Sequence, residues 1–272
     1  MIVSFYPLYE GDVNIFQFEP LTEDLIEKIL KARAVIVPPT VAPELYFFIK
    51  NRGIAHFPEY TFRFLFPGKI GQILLFRALN LPHPRTIPVP RLCGLEENPY
   101  ERTLTLTYPF VVKGNRGDEG KEVFLIKSEE EWKSVQKFIN GLENMGRFGF
   151  LIQEYINNPF DARSIVIGDK ILVFFREGGF RKNLTEGGKL IPPPTKDLEE
   201  KVIEITKELI KRTGFNLVAI DFLIKGEEVL FNELNFVFGR RAIGDEVYTQ
   251  LVKEAIEKFL KGINFFQGER KG

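Results

Sequence analysis

Asp221 stands in the middle of the run LVAIDFLI at 217–224, where apolar residues occupy both alternations of an extended chain. A strand of that composition is buried on both faces. An unpaired carboxylate there costs several kcal/mol or has to be protonated. The next run, EVLFNELN, carries Glu233 and Asn235, two residues apart and therefore on one face. A connection over 226–228 pairs Lys225 with Val229 and sets Asp221 opposite Glu233. Two carboxylates and an amide oxygen then converge. Such hard oxygen donors suit magnesium or manganese, which keep some water and take phosphate oxygens for their remaining positions. The alternative is a buried ion pair between Asp221 and an arginine. Two acids side by side favour the cation, because like charges repel without one.

Lys113 closes the apolar run PFVVK and precedes Gly114, Gly117 and Gly120. A loop of this kind brings backbone N–H groups against phosphate oxygens while the lysine adds a point charge. It is not a Walker A loop, since the lysine precedes the glycines and no GK[ST] occurs. An ordinary glycine-containing hairpin loop is the alternative. Arg163, Arg176, Arg181 and Asn183 gather around the strands ahead of the acidic hairpin, and Arg240 and Arg241 follow it. Guanidinium groups recognise polyphosphates and carboxylates through paired hydrogen bonds. Arg176 directly follows ILVFF, which ties it to a strand end better than a solvated surface charge would be. His56, His83 and Cys93 have no partner at metal or catalytic spacing and read as structural.

The elements that must position these residues are legible in outline. The first third reads β-α-β-α-β: IVSFYP, LTEDLIEKILKA with Thr22 as N-cap, AVIVPP, PELYFFIKNRG closed by Gly53, and IAHFPE. That order predicts a small parallel sheet. A helix over about 69–80 follows. The segment LPHPRTIPVP then reads as an extended linker and a domain boundary, since Pro82, Pro84, Pro88 and Pro90 fit neither a helix interior nor a central strand. Beyond it, TYPFVVKG, VFLI, FLIQEYI, ARSIVIG and KILVFFRE read as strands. Ser128 caps one helix, and 197–214 forms an amphipathic helix ended by Gly214. The two metal runs form a hairpin, and a last helix closes the chain. The predicted divisions are 1–66, a small α/β domain; 67–106, helix and linker; 107–157, a lid; and 158–272, the part bearing the metal site.

The 272 residues carry 37 Lys+Arg against 37 Asp+Glu, with 44% hydrophobic and 27% charged residues. That is a globular composition without the basic excess of a nucleic-acid or anionic-membrane binder. No run approaches the roughly 18 apolar residues of a membrane helix. The first residues read as a strand, with Glu10 and Asp12 close behind, and cytoplasmic residence is the expectation. One cysteine excludes an internal disulfide.

In order, these pieces resemble the ATP-grasp superfamily and, within it, the RimK-like (ribosomal-protein glutamate ligase, glutathione synthetase-like) group, over roughly 67–262. PGKIGQILLFRALNLPHPRT resembles the family's lysine, helix and proline-rich exit, which makes Lys69 the first nucleotide lysine. PFVVKGNRGDEGKEVFLI resembles the strand, lysine and glycine lid, which makes Lys113 the second and places Gly117 on the phosphates. LIQEYI resembles the adenine hinge: Gln153, Glu154, Tyr155 and Ile156. DARSIVIGDKILVFFREGGFRKNLTEGG resembles the stretch supplying Asp161 and Arg163, then Arg176, Arg181 and Asn183 near triphosphate and substrate. AIDFLI and LFNELN resemble the two metal strands with Asp221, Glu233 and Asn235. After Asn235 the chain reads Phe-Val-Phe-Gly-Arg-Arg, where the family has a small residue, proline and glycine.

The resemblance implies an α/β (α+β) ATP-grasp fold, a small N-terminal parallel domain and two α+β subdomains enclosing the nucleotide. It implies ATP and magnesium (or manganese), with a carboxylate joined to an amine or amino-acid acceptor through an acyl phosphate. A homo-oligomer is compatible with the chain. Two alternatives stand beside the amide ligase: a non-catalytic ATP-binding module, and a carboxylate-thiol or peptide ligase outside the glutamate group.

Overall fold

The computed structural model describes residues 1–15, 19–96, 107–117, 122–178 and 188–269. The chain opens with β1 (Ile2–Ser4), β2 (Val13–Asn14), α1 (Glu23–Leu30), β3 (Ala34–Ile36), α2 (Pro43–Asn51) and β4 (Ala55–Phe57). The strands pair in parallel in the order β2-β1-β3-β4, so the expected sheet forms with β2 added at its edge. Thr22 starts α1 by accepting from the Leu25 N–H at 3.3 Å. Gly53 follows α2 at φ +69°, where a glycine carries no Cβ penalty.

Two helices lead out of this sheet, α3 (Thr61–Leu65) and α4 (Gly68–Ala78). Next come β5 (Thr86–Val89), α5 (Cys93–Glu96), β6 (Phe110–Gly114), β7 (Val123–Ile126), α6 (Glu129–Asn144) and β8 (Phe150–Glu154). The strands form an antiparallel sheet, β5-β8-β6-β7. The proline-rich segment is therefore more than a linker. Its residues 86–89 are the edge strand β5, and Pro88 is tolerated there because an edge leaves one side of the backbone unpaired. This sheet has a core of its own, built from Val112, Ile126, Val135, Ile139, Phe150 and Ile152.

The rest of the chain gives β9 (Phe160–Ile167), β10 (Lys170–Glu177), β11 (Lys189–Ile191), α7 (Lys196–Thr213), β12 (Leu217–Lys225), β13 (Glu228–Asn235) and α8 (Asp245–Glu269). The third sheet is antiparallel, β11-β10-β9-β12-β13. One face, with Val218, Ile220 and Phe222, packs on Val202 and Leu209 of α7 in a core continuous with Val3, Ile29 and Phe76. The other face, with Ile165, Ile167, Leu217 and Ala219, packs on Tyr248, Val252 and Ile256 of α8. Asp221 shares the side of Leu217 and Ala219 but lies beyond what α8 covers. A strand apolar on both faces thus ends over open space on one of them. Among the described residues no helix is long and apolar enough to cross a membrane.

The β12–β13 hairpin differs in detail from the expected one. Its connection is one residue shorter, so Lys225 pairs with Glu228 rather than Val229. A β-bulge then inserts Asn232 between the Phe222–Phe231 and Asp221–Glu233 pairs. The extra residue restores the register, and Asp221 still faces Glu233.

Candidate active site

Register puts four charges on the uncovered face of the third sheet. Asp161 and Arg163 alternate along β9; Arg176 of β10 is the cross-strand partner of Asp161, and Asp221 of β12 is that of Arg163. Arg163 donates fork-to-fork to Asp221, Nε to Oδ1 at 2.8 Å and Nη2 to Oδ2 at 2.7 Å. Arg176 grips Asp161 the same way at 2.8 and 2.9 Å, and its Nη2 also donates to Asp221 Oδ1 at 2.7 Å. Asn235 Nδ2 donates to Asp221 Oδ2 at 2.8 Å. Burial opposes the charge on Asp221, but Arg163 and Arg176 outweigh it and hold the carboxyl well below the usual carboxylate range. Burial also opposes the Arg176 charge, and Asp221 and Asp161 more than compensate.

Two lysines arrive from elsewhere. Lys69, in the first turn of α4, donates to Glu233 Oε1 at 2.5 Å and to the Gly117 carbonyl at 3.1 Å. Asn115 sets the start of that helix: its Oδ1 accepts from the Ile70 N–H and its carbonyl from the Lys69 N–H, both at 3.0 Å. Lys113, at the end of β6, is buried and donates to Oδ1 of the bulge residue Asn232 at 2.6 Å. Burial pushes its ammonium down to about 8, with the Glu233 carboxylate opposing. Gln72 of α4 clamps β13 from behind, bonding the Leu234 N–H at 2.8 Å and the Leu234 carbonyl at 2.9 Å. Gly117 has a packing reason to be glycine, since a Cβ there would lie 2.6 Å from that of Glu122.

The hinge closes the far end. The buried Gln153 amide donates to Thr86 Oγ1 at 2.9 Å, so that side chain is committed to β5. Glu154 accepts from the Arg85 N–H at 2.8 Å and from Lys225 at 3.0 Å. Burial raises its pKa, yet these partners leave it below the usual range.

All of these groups line one cavity of about 1440 Å³: Lys69, Lys113, Gly117, Gln153, Glu154, Tyr155, Ile156, Asp161, Arg163, Arg176, Asp221, Glu233 and Asn235. Ligand sites usually occupy about 300–1,000 Å³, so there is room for a nucleotide beside a second molecule. Seven Lys or Arg side chains and four carboxylates form the wall among the described residues, an excess suited to a polyanion. Arg241 lines the cavity too, whereas Arg240 stacks on Tyr248 at 4.2 Å and pairs with Asp245 at 3.5 Å. Arg181, Asn183 and Gly120 lie outside the described residues.

The donor set meets a divalent cation halfway. Among the described residues, Glu233 Oε2 and the Asn235 side-chain Oδ1 carry no protein hydrogen bond and are free to coordinate. Asp221 is different. Four donors fill its two oxygens, the buried ion pair weighed as the alternative from sequence. A cation reaching Asp221 has to displace an arginine or the amide. No group of three or more His, Cys, Asp or Glu among the described residues could hold a metal, so phosphate oxygens would complete the shell.

Asn232, Gln72 and Asn115 were not singled out in the sequence. Asn115 sits inside the glycine run that drew attention to Lys113, which is a usable signal. Nothing local marks Asn232 as a bulge or Gln72 as a clamp.

Residues 81–259 match the family model of the RimK-like ATP-grasp domain. The chain is 28% identical over 163 residues to a probable alpha-L-glutamate ligase of Stenotrophomonas maltophilia, an alignment covering 56% of this chain and 53% of that one. A probable alpha-L-glutamate ligase of Maridesulfovibrio salexigens is 35% identical over 86 residues, 29% of this chain and 27% of that one. The chain spans about half the length or less of these curated relatives. Its fold matches D-alanine–D-alanine ligase of Bacillus anthracis complexed with ATP, at TM-score 0.67 and 17% identity over 93% of this chain and 87% of that one. It also matches a RimK domain ATP-grasp protein of Sphaerobacter thermophilus, at TM-score 0.58 and 16% identity over 83% and 81%.

Proposed function

The chain belongs to the RimK-like ATP-grasp family, and we propose that it is an ADP-forming ligase that joins a carboxylate to an amine. The observation that carries this reading is convergence. The hinge of the second sheet, the lysines of α4 and β6, and the charged face of the third sheet all open onto one cavity with a cationic excess. Lys69 and Lys113 would hold the phosphates, both lining the cavity. The backbone of 153–156 would meet the adenine, since the Gln153 and Glu154 side chains are already engaged. Arg163 and Arg176 would steady the oxyanion that develops at the reacting carbon, pre-oriented by Asp161 and Asp221.

A carboxylate oxygen attacks the γ-phosphorus of ATP, the bond to the β,γ-bridging oxygen breaks, and ADP leaves. The amine nitrogen attacks the acyl phosphate, phosphate departs, and the amine proton passes to water. Glu233 and Asn235, with Asp221 where it is released from an arginine, would hold magnesium, which would supply charge neutralisation at the phosphoryl oxygens. The carboxylate is a small molecule or a peptide, the acceptor an amine or amino acid, and the reaction is cytoplasmic.

The test is ATP turnover against pooled carboxylates with hydroxylamine as trap. The expected products are ADP, phosphate and a hydroxamate, all abolished together by Glu233→Gln. AMP and pyrophosphate would replace the acyl phosphate with an adenylate. Tight ATP binding without turnover on any carboxylate would make the chain a binding module.

A further inference from the structure

Arg63 belongs to none of the motifs above and lies outside the matched residues 81–259. It sits in the five-residue helix α3, on the stretch of cavity wall that runs through Phe64, Phe66 and Gly68 to Lys69. Its Nη1 donates to the Pro39 carbonyl at 2.5 Å. Its guanidinium carbon lies 4.8 Å from the centre of the Tyr60 ring and 5.0 Å from those of Phe64 and Phe236. Three rings and one carbonyl hold the group still, and most of its five N–H donors remain unused.

What Arg63 lacks is an anion. Lys69 is paired with Glu233, and Arg163 and Arg176 are paired with Asp221 and Asp161. Among the described residues no carboxylate lies within ion-pair distance of Arg63. Burial pulls its ionisation below the ordinary arginine value, and the group opposing that shift is the Tyr60 hydroxyl, not an acid. A clamped, partly desolvated and unpaired guanidinium on a cavity wall is a receptor for a planar anion.

Position says which anion. On the ligase reading Lys69 and Lys113 meet the phosphates and 153–156 meet the adenine, and all of them line the same cavity as Arg63. Phe236, whose ring Arg63 touches, directly follows Asn235, which bonds Asp221. Arg63 therefore stands on the cavity wall that leads to Lys69, with the ring of the residue after Asn235 against it. We propose that Arg63 selects the substrate by binding the non-reacting carboxylate of a dicarboxylic acid whose other carboxylate is phosphorylated. The rings of Phe64 and Phe236 flank the carbons between the two groups. This rests on the ligase reading and adds a substrate class and a specificity residue to it.

The experiment compares matched acids, succinate and glutarate against butyrate and pentanoate, by hydroxamate formation in the wild type, Arg63→Met and Arg63→Lys. The wild type is expected to favour the dicarboxylates. Arg63→Met should raise their KM roughly ten- to hundredfold, the loss of a charge-assisted contact, with kcat and the KM for ATP within about threefold. Arg63→Lys should recover part of the loss, which a merely structural role would not produce. An undiminished dicarboxylate preference in a folded Arg63→Met protein overturns the proposal, as does a wild type without preference. If no acid is turned over, calorimetric titration of glutarate into protein loaded with a non-hydrolysable ATP analogue decides. Binding that Arg63→Met removes keeps the site while the ligase reading falls, and no binding removes the site as well.

Discussion

Burial makes the charge of Lys113 unfavourable to the fold, while the proposed function gives that charge a use on the phosphates, and one substitution separates the two effects. Burial lowers its pKa to about 8 from an ordinary 10.5. That gap corresponds to about 3 kcal/mol against the charged form at neutral pH. Lys113→Met removes the charge but fills similar space. It also leaves Asn232 Oδ1, now bonded at 2.6 Å, without its donor, which costs about 1–2 kcal/mol. The net is a gain of about 1–2 kcal/mol, or a Tm higher by a few degrees for a chain of this size. The sign with pH follows from proton counts. Between about 8 and 10.5 the unfolded lysine binds a proton that the folded one does not, so wild-type stability rises through that window, by at most about 1.4 kcal/mol per pH unit. The advantage of the variant should therefore shrink from pH 7.5 to 9.5. ATP affinity should move the other way, roughly ten- to hundredfold weaker. Calorimetric scans at three pH values and one ATP titration check all of this. A Tm that falls by several degrees, with a gap insensitive to pH, would refute the burial argument. Unchanged ATP affinity would remove Lys113 from the phosphates.

Gln72→Leu should destabilise by about 2 kcal/mol, because both backbone groups of Leu234 lose their partner; a denaturant midpoint within 0.5 kcal/mol of wild type would mean that water replaces the amide fully. Asp221→Asn should cost about 3–5 kcal/mol of stability as well as turnover, since the buried Arg176 and the half-buried Arg163 lose their shared counter-charge. Glu233→Gln, at a more open carboxylate, should abolish turnover with a much smaller change in unfolding free energy. Equal stability losses in the two variants would contradict that division of labour.

The fold was legible where local chemistry and periodicity agree. Thr22 and Ser128 cap helices by accepting from the third residue onward, and Gly214 ends α7 at φ +73°, as their types predict. What stayed hidden depends on partners distant in sequence. Pro88 reads as a linker residue until β8 supplies the strand beside it, over 60 residues later. Arg63 draws no notice in the sequence, because nothing nearby announces that Phe236 will pack against it.

The acidic hairpin shows how a site can be found through a register that is wrong in detail. A three-residue connection and an unbroken ladder lead to Asp221 opposite Glu233; so do a two-residue connection and one bulge. The two differences cancel because each shifts the pairing by one residue, and the period of a strand is two. They do not cancel for chemistry. The bulge adds Asn232 to the wall and gives Lys113 its bond, which an unbroken ladder could not do without turning Asn232 to the other face. Asp221 makes the complementary point. Its sequence context called for a compensating positive charge, and a metal or an arginine satisfies that demand equally well. Cross-strand neighbours supply the arginines: Arg163 is opposite Asp221, and Arg176 reaches across from the strand beyond. Any cation that binds Asp221 must do so in competition with these guanidinium groups. A polyphosphate that engages Arg163 or Arg176 would relax that competition, so nucleotide and metal should bind cooperatively, each tighter in the presence of the other.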